Sequence, residues 1–280
     1  MKPIALFLSI AFAAAPMAVA AQSFSFSQDF VAAGANPEGG AGQAVPSGRA
    51  GMGFGGPFSR FALGGGISTL GINLMAATNL NRYMNLRASG NVFQYTDSSI
   101  STNGFNVDAN LNLASMGASV DIYPFPDHGL RFSPGVLFYN ANAATATFAV
   151  QGGTSFTLND TTYYASSSNP VMGNGSLGLN STKPAFTITA GWGNMIPRSG
   201  GHFSFPFEVG VALIGAPTLN IALTSGQVCD AQGQNCVNVA TDADVQSNLQ
   251  QQIAKDKSDL EPLKTYPIVS VGVAYSFRIR

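Results

Sequence analysis

Over much of this chain apolar residues return at every second position, and the residues between them are polar but almost never charged. From Met84 to Val92 the apolar set is Met84, Leu86, Ala88, Gly90 and Val92, set against Asn85, Arg87, Ser89 and Asn91. Phe105, Val107, Ala109, Leu111 and Leu113 oppose Asn106, Asp108, Asn110 and Asn112. Period-two alternation marks strands with one apolar and one polar face. On a soluble sheet the polar face meets water and collects Lys, Arg, Asp and Glu. Here it holds Asn, Ser, Gly, Thr and Ala, with 11 charged residues between Ala62 and Thr224. The whole chain is 10% charged, against about 25% in ordinary soluble domains. Small uncharged polar residues suit a crowded interior, and the apolar face then meets lipid. That is the pattern of a transmembrane antiparallel up-and-down β-barrel, whose closure satisfies every backbone donor and acceptor.

The other runs fit the same reading. They are Leu130–Phe138, Phe186–Trp192, Phe203–Leu213 with the same phase reaching Leu219, Ile221 and Leu223, Val269–Phe277, and a strand over Ala62–Thr78 with Leu70, Ile72, Leu74 and Ala76 on one face. Past Ala114-Ser115 the phase flips to Met116, Ala118, Val120 and Ile122, which predicts a β-bulge. Tyr83, Phe93, Tyr95, Tyr123, Phe125, Trp192, Phe203 and Tyr275 lie near strand ends, as interfacial girdles require. A soluble exported β-sandwich is the structural alternative.

The first 21 residues have the three parts of a secretory signal: Lys2, an apolar stretch from Ile4 to Ala15, and small residues for cleavage after Ala20 or Ala21. Residues 22–280 are then one domain. Short connections fall at Asn79–Arg82, Pro124–Gly129 and Asn194–Gly201, and long ones at 32–60, 140–183 and 225–264. Short turns are periplasmic and long loops external in such barrels. The last strand then descends, and so does Ala62–Thr78, which leaves seven strands. Even parity needs an ascending strand before it, and residues 23–31, with Phe24, Phe26 and Phe30 alternating, supply the candidate. About eight strands are expected.

Asn159-Asp160 between Thr154–Leu158 and Thr161–Ala165 predicts a projecting hairpin. Residues 242–263 read as a helix with a narrow stripe of Val245, Leu249, Ile253 and Leu260, lying in water on the barrel rim. The turn rule puts this helix outside the cell, and a periplasmic position stays open.

Tyr266-Pro267-Ile268-Val269-Ser270-Val271-Gly272-Val273-Ala274-Tyr275-Ser276-Phe277 resembles the closing strand of Gram-negative outer-membrane β-barrel proteins of the small, about eight-stranded kind. Here Arg278-Ile279-Arg280 follows the terminal aromatic. Asn85-Leu86-Arg87, Asp121-Ile122-Tyr123-Pro124-Phe125 and Gly191-Trp192-Gly193-Asn194 are similar to that class as well. The resemblance covers about residues 62–280. It implies the cell outer membrane, with its lipids and the barrel-assembly machinery as partners. It carries over no catalytic or ligand-binding residue and names no extracellular ligand.

Cys229 and Cys236 enclose six residues of an exported loop and are expected to form a disulfide. The chain-entropy model gives a bridge so short about 2.5 kcal/mol. Two cysteines fall short of the four ligands of structural zinc. GMGFGG at Gly51–Gly56 matches a dinucleotide fingerprint without the strand and helix it needs. Asp242 and Asp244 lack the rest of a calcium loop and suit a helix N-terminus. His128 and His202 sit in short turns with no nucleophile beside them. No cofactor or metal is expected, and a near-neutral chain is unsuited to nucleic acid.

Four charges on polar strand faces stand out. Arg87 and Glu208 each lie about five residues above a short turn, which places both at a height of about 10–15 Å on tilted strands. Asp121 and Arg131 flank one short turn on adjacent strands. A lone buried charge is costly and a paired one can be held, so the four are expected to pair and block the interior. A gate, or simple contact with lumen water, are the alternatives. The leading function is a non-enzymatic outer-membrane barrel with a structural or surface-interaction role. The others are a small channel for ions or solutes, and a lipid- or peptide-acting barrel enzyme.

Overall fold

The computed structural model describes residues 56–126, 128–179, 184–198 and 201–279. The signal segment 1–21, the candidate strand 23–31 and GMGFGG up to Gly55 lie outside the described residues. With strands numbered in chain order, eight pair into an antiparallel ring. They are β1 (Arg60–Ser68), β2 (Gly71–Asn79), β3 (Met84–Thr102), β4 (Phe105–Ile122), β5 (Arg131–Asn140), β10 (Ala185–Trp192), β12 (Phe207–Leu213) and β16 (Thr265–Arg278). Each pairs with the next in that order, and β16 returns to β1 through Arg60↔Arg278 to Ser68↔Ser270. A two-residue strand, β11 (Phe203–Ser204), also pairs with β16.

The ring is apolar outside and polar inside. Leu63, Ile72, Leu74, Phe186, Ile188 and Val271 are exposed, while Asn73, Asn91, Ser115, Ser133, Thr189 and Ser270 are buried. Inversion of the soluble pattern is what an apolar solvent selects. No helix among the described residues is long and apolar enough to cross a membrane, a statement that leaves crossing by strands untouched.

Four strand expectations need correction. The run Ala62–Thr78 is a hairpin rather than one strand. Ser68 pairs with Gly71, leaving Thr69-Leu70 as a two-residue turn. The Ser68 hydroxyl accepts from the Leu70 N–H at 3.0 Å, and Gly71 has φ +114°. Gly64-Gly65-Gly66 carry no hydrophobic signal, so the alternation of β1 was hidden. The hairpin restores even parity without any earlier strand. It also sets residues 56–59 at the short-turn end, where Phe58 N–H bonds the Asn79 carbonyl at 2.8 Å, and not in an outer loop. An alanine Cβ at Gly71 would lie 2.8 Å from the Val92 carbonyl and Phe93 Cβ. Gly71→Ala is therefore expected to cost about 1–3 kcal/mol, read as an earlier unfolding midpoint of the folded band on gels.

The phase flip at Ala114-Ser115 is not a bulge in β4. The β3–β4 register runs unbroken from Asn85↔Asp121 to Asp97↔Ala109. The surroundings change instead. Odd residues of β4 face the ring interior at Ser115 and Asp121, and higher up the same face is buried under other elements at Val107 and Leu113. The irregularity is on the partner strand: Met116 pairs Tyr139 and Gly117 pairs Leu137, so Phe138 is the extra residue.

Phe203–Leu213 is broken at Phe205-Pro206 into β11 and β12. Leu219 and Leu223 belong to a separate strand, where they are buried rather than lipid-facing. Of the expected girdle, Tyr83, Tyr95, Phe125, Trp192, Phe203 and Tyr275 are exposed, Phe93 is half-buried and Tyr123 is fully buried. Phe93 and Tyr95 share the inward face of β3 with Asn91.

The long connections are folded. Above Ala114, β4 leaves β5 and pairs with β6 (Ala143–Val150), which pairs with β9 (Val171–Gly178), which pairs with β13 (Thr218–Ser225). A second sheet holds β7 (Ser155–Leu158), β8 (Thr161–Ala165), β14 (Gln227–Cys229) and β15 (Val237–Asn238). The β7–β8 hairpin turns at Asn159-Asp160, both with positive φ, as the sequence requires. Helix α1 (Ala243–Asp259) starts at Asp242, whose carboxylate accepts from the Val245 N–H at 3.0 Å. Its Val245, Leu249 and Ile253 pack with Val150, Phe156, Leu158, Val171, Leu223 and Val228, and Leu260 meets Leu177 and Leu219. This core lies at the long-loop end, away from both described termini.

Cys229 and Cys236 are disulfide-bonded beside that core. Neither belongs to the ring, so Cys229→Ser is expected to leave assembly of the folded band unchanged. The effect should be confined to faster hydrogen exchange around residues 227–239, with two alkylatable thiols appearing only after reduction of the wild type.

Candidate functional site: an ion-pair network inside the ring

Counting round the ring, β3 and β12 stand opposite one another, four strands apart either way. Arg87 on β3 and Glu208 on β12 reach across the whole width and meet. Nη1 donates to Oε1 at 3.0 Å and Nη2 to Oε2 at 2.9 Å. This is the two-pronged geometry in which a guanidinium fits a carboxylate. Arg87 Nε donates to Asp121 Oδ1 at 3.1 Å, and the Ser133 hydroxyl donates to the same oxygen at 2.7 Å. From β5, Arg131 Nη2 donates to Glu208 Oε2 at 3.0 Å, and Thr189 donates there at 3.3 Å. Arg131 Nη1 donates to the Gly193 carbonyl.

All four charged residues are buried, with Asp121 and Arg131 at 0% and 1% exposure, and their signs balance. The structure brings together Arg87, Glu208, Asp121 and Arg131 as one network rather than as separate pairs. Asp121 meets Arg87, and Arg131 meets Glu208 rather than Asp121. Asp121 and Arg131 face inward from adjacent strands. The Arg131 side chain instead points toward β10 and β12, where Glu208 and the Gly193 carbonyl both accept from it.

Apolar groups fill the interior on either side of this network. Toward the long-loop end Leu70, Leu137, Ala185, Ala212, Ile214 and Ile268 form one cluster. Toward the short-turn end Met195 and Ile196, both fully buried, pack against Ala62, Met75, Ala77 and Ala274. Of the expected short turn Asn194–Gly201, residues 194–198 therefore fold into the ring. Gly193 makes the bend with φ +92°, and Asn194 Oδ1 accepts from the Ile196 N–H at 3.0 Å and from Asn85 Nδ2 at 2.9 Å. Arg60 holds the Pro197 carbonyl at 2.9 Å, and the Arg198 guanidinium lies over the Tyr123 ring, 5.5 Å from its centre. Small residues on β1, β2 and β16 leave the room this loop occupies.

Between the ion pairs and the Leu137 cluster lies a cavity of about 40 Å³, lined by Asn73, Arg87, Ser133, Thr189, Glu208 and Ser270 among others. A water needs about 10–15 Å³ of such space, so the cavity has room for ordered water. Sequence reasoning did not find Ser133, Thr189, Met195 or Ile196. The one signal for the last two was an apolar pair in a supposed turn. Among the described residues no three His, Cys, Asp or Glu side chains gather to hold a metal. His202 stacks on Tyr275 at the short-turn end, and His128 lies edge-on to Phe125.

No family model matches the sequence, and no curated protein does. Two solved structures resemble the fold. CarO of Acinetobacter baumannii has 20% identity and a TM-score of 0.51, covering 79% of this chain and 98% of that one. CarO2 of the same organism has 19% identity and a TM-score of 0.54, covering 80% and 100%. The ring of eight antiparallel strands, with α1 at its long-loop end, thus has the fold of Gram-negative outer-membrane β-barrel proteins.

Proposed function

We propose that this chain is a closed, plugged β-barrel of the cell outer membrane, without enzymatic activity, that serves as a rigid lipid-embedded base for an exposed interaction surface at its long-loop end. One observation carries the reading: the Arg87–Glu208 pair spans the width of the interior between two apolar clusters, with a cavity of only about 40 Å³ beside it. Eight strands give an interior that side chains can fill, and this sequence supplies the fillers. The opposite end carries five strands, a second sheet and α1, far more structure than connecting eight strands needs. By the short-turn rule that end faces outward. The four charges act as a structural plug, and Cys229–Cys236 fastens the outer layer.

Envelope fractionation tests the location. The unheated protein is expected with outer-membrane fragments, running at a different position on cold SDS gels than after boiling. A soluble periplasmic species contradicts the reading. For the plug, proteoliposomes in an iso-osmotic pentose are expected to swell no faster than protein-free vesicles. Swelling at the rate of an open porin favours the small channel.

A further inference from the structure

Beyond the ring, the even-numbered residues of β4 keep the outward direction they have in the wall. Met116 is exposed to the outside, and Asn112, Asn110, Asp108 and Asn106 continue that face upward, with the β3–β4 register unbroken as far as Asp97↔Ala109. Pairing aligns Thr96, Asn110, Thr145, Ser176 and Asn220 in one row across five strands. Asp108, Thr147 and Asn174 make the next row. The two rows line an open cleft of about 500 Å³, within the size range of small-ligand sites. The opposite face of this sheet is sealed against α1 and the second sheet, so the cleft has a rigid floor.

The lining chooses the ligand class. Asp108 is its one charged residue, and no cation lines it, which excludes phosphorylated head groups, nucleic acids and acidic peptides. Ile221 is its one large apolar residue and packs with the core on the sheet's other face, which leaves no apolar slot for a peptide side chain or an acyl chain. Eight of its thirteen lining residues carry an amide, hydroxyl or carboxylate, and the surface between these groups is largely apolar, the mixture of polar edges and C–H faces that a sugar ring itself presents. Asn110 Nδ2 donates to Thr96 Oγ1 at 2.8 Å, which fixes the amide within the row. From Met116 to Asn110 a tilted strand climbs about 14 Å, so the cleft stands sideways at the height of sugar-bearing head groups.

We infer that this cleft binds uncharged sugar residues, a neutral hexose-based oligosaccharide, through the Asn110–Asn220 row. The inference rests on the long-loop end being the exposed interaction surface, and its test reads the cleft separately from the plug. The full chain is held in an amine-oxide detergent, because maltoside head groups would compete. Saturation-transfer NMR is run with maltopentaose, with chitotetraose, with the deacylated core oligosaccharide of the host cell's glycolipid, and with a heparin fragment. At least one neutral saccharide is expected to bind at millimolar Kd or tighter. Asn110→Leu with Asn220→Leu is expected to weaken it at least tenfold, with the heat-modifiable band unchanged. Binding of the core oligosaccharide assigns the surrounding leaflet as the source, and binding of the free saccharides alone assigns soluble or foreign glycans. The inference is overturned if no neutral saccharide binds, if the heparin fragment binds better, or if the double variant binds as well as wild type. An Asn174→Ala, Asn220→Ala pair repeats the comparison should the leucine variant fail to assemble.

Discussion

Glu208→Ala is expected to lower the stability of the folded protein by about 3–5 kcal/mol, read as the urea midpoint of the heat-modifiable band. The loss comes from what remains. Arg87 and Arg131 both lean on this carboxylate, and without it two buried guanidinium groups face one another with Asp121 as their only nearby anion. Glu208→Gln keeps the shape and one acceptor oxygen, so its cost should be smaller. The pairing makes a sharper expectation than either single change. In the Glu208→Ala background, Arg131→Met removes the stranded charge while Arg87 keeps Asp121, and should recover part of the stability, a coupling that independent sites do not show. If Glu208→Ala stays within about 0.5 kcal/mol of wild type, these side chains are solvated by lumen water and the network holds nothing together.

Ile196→Ala is expected to cost about 2–5 kcal/mol. In a short exposed turn the same change would lie within about 0.5 kcal/mol, so the size of the effect reports where the loop sits. Ile196 is fully buried against the inward alanines of β1, β2 and β16, and no lipid or water reaches the cavity that truncation leaves. Met195→Ala should fall at the lower end of the range, since Met75 is flexible enough to move into part of the space. Replacing Ala77 by Leu attacks the same contact from the wall. It should expel the loop, exposing the 194–198 segment to protease while β10 stays paired. An Ile196→Ala variant as stable as wild type would place the loop outside the ring.

Much of the wall was legible in the sequence because lipid on one side and a crowded interior on the other impose opposite demands on alternate residues. Where both demands act, as along β3, lower β4, β10 and β16, the phase was read correctly. Errors gathered where one demand was silent. Gly64-Gly65-Gly66 have no side chain to reveal a face, which hid β1 and made the parity argument look for a strand elsewhere. On β4 the faces exchange polarity because the partner changes from lipid to a protein core, and a sequence cannot distinguish that from a shifted register. Leu219, Ile221 and Leu223 alternate for the same reason although they never touch the wall. Among the site residues, the four charges were conspicuous because few others occur on these faces. Their partners were legible only as far as height and sign allow. That Arg131 reaches Glu208 instead of Asp121 depends on the direction of a long side chain, and so does the contribution of Ser133 and Thr189. The inward fold of Met195-Ile196 left only its apolarity as a trace.

The plug itself is tested most directly by current. Purified wild-type protein, folded in detergent and inserted into a planar bilayer in about 1 M salt, where charges are screened within about 3 Å, is expected to give no steady conductance steps. Glu208→Ala combined with loss of the Met195-Ile196 contact is expected to give them. Steady ohmic steps from the wild type, at the frequency of its insertion, would mean an open aqueous path through the ring and would contradict the account.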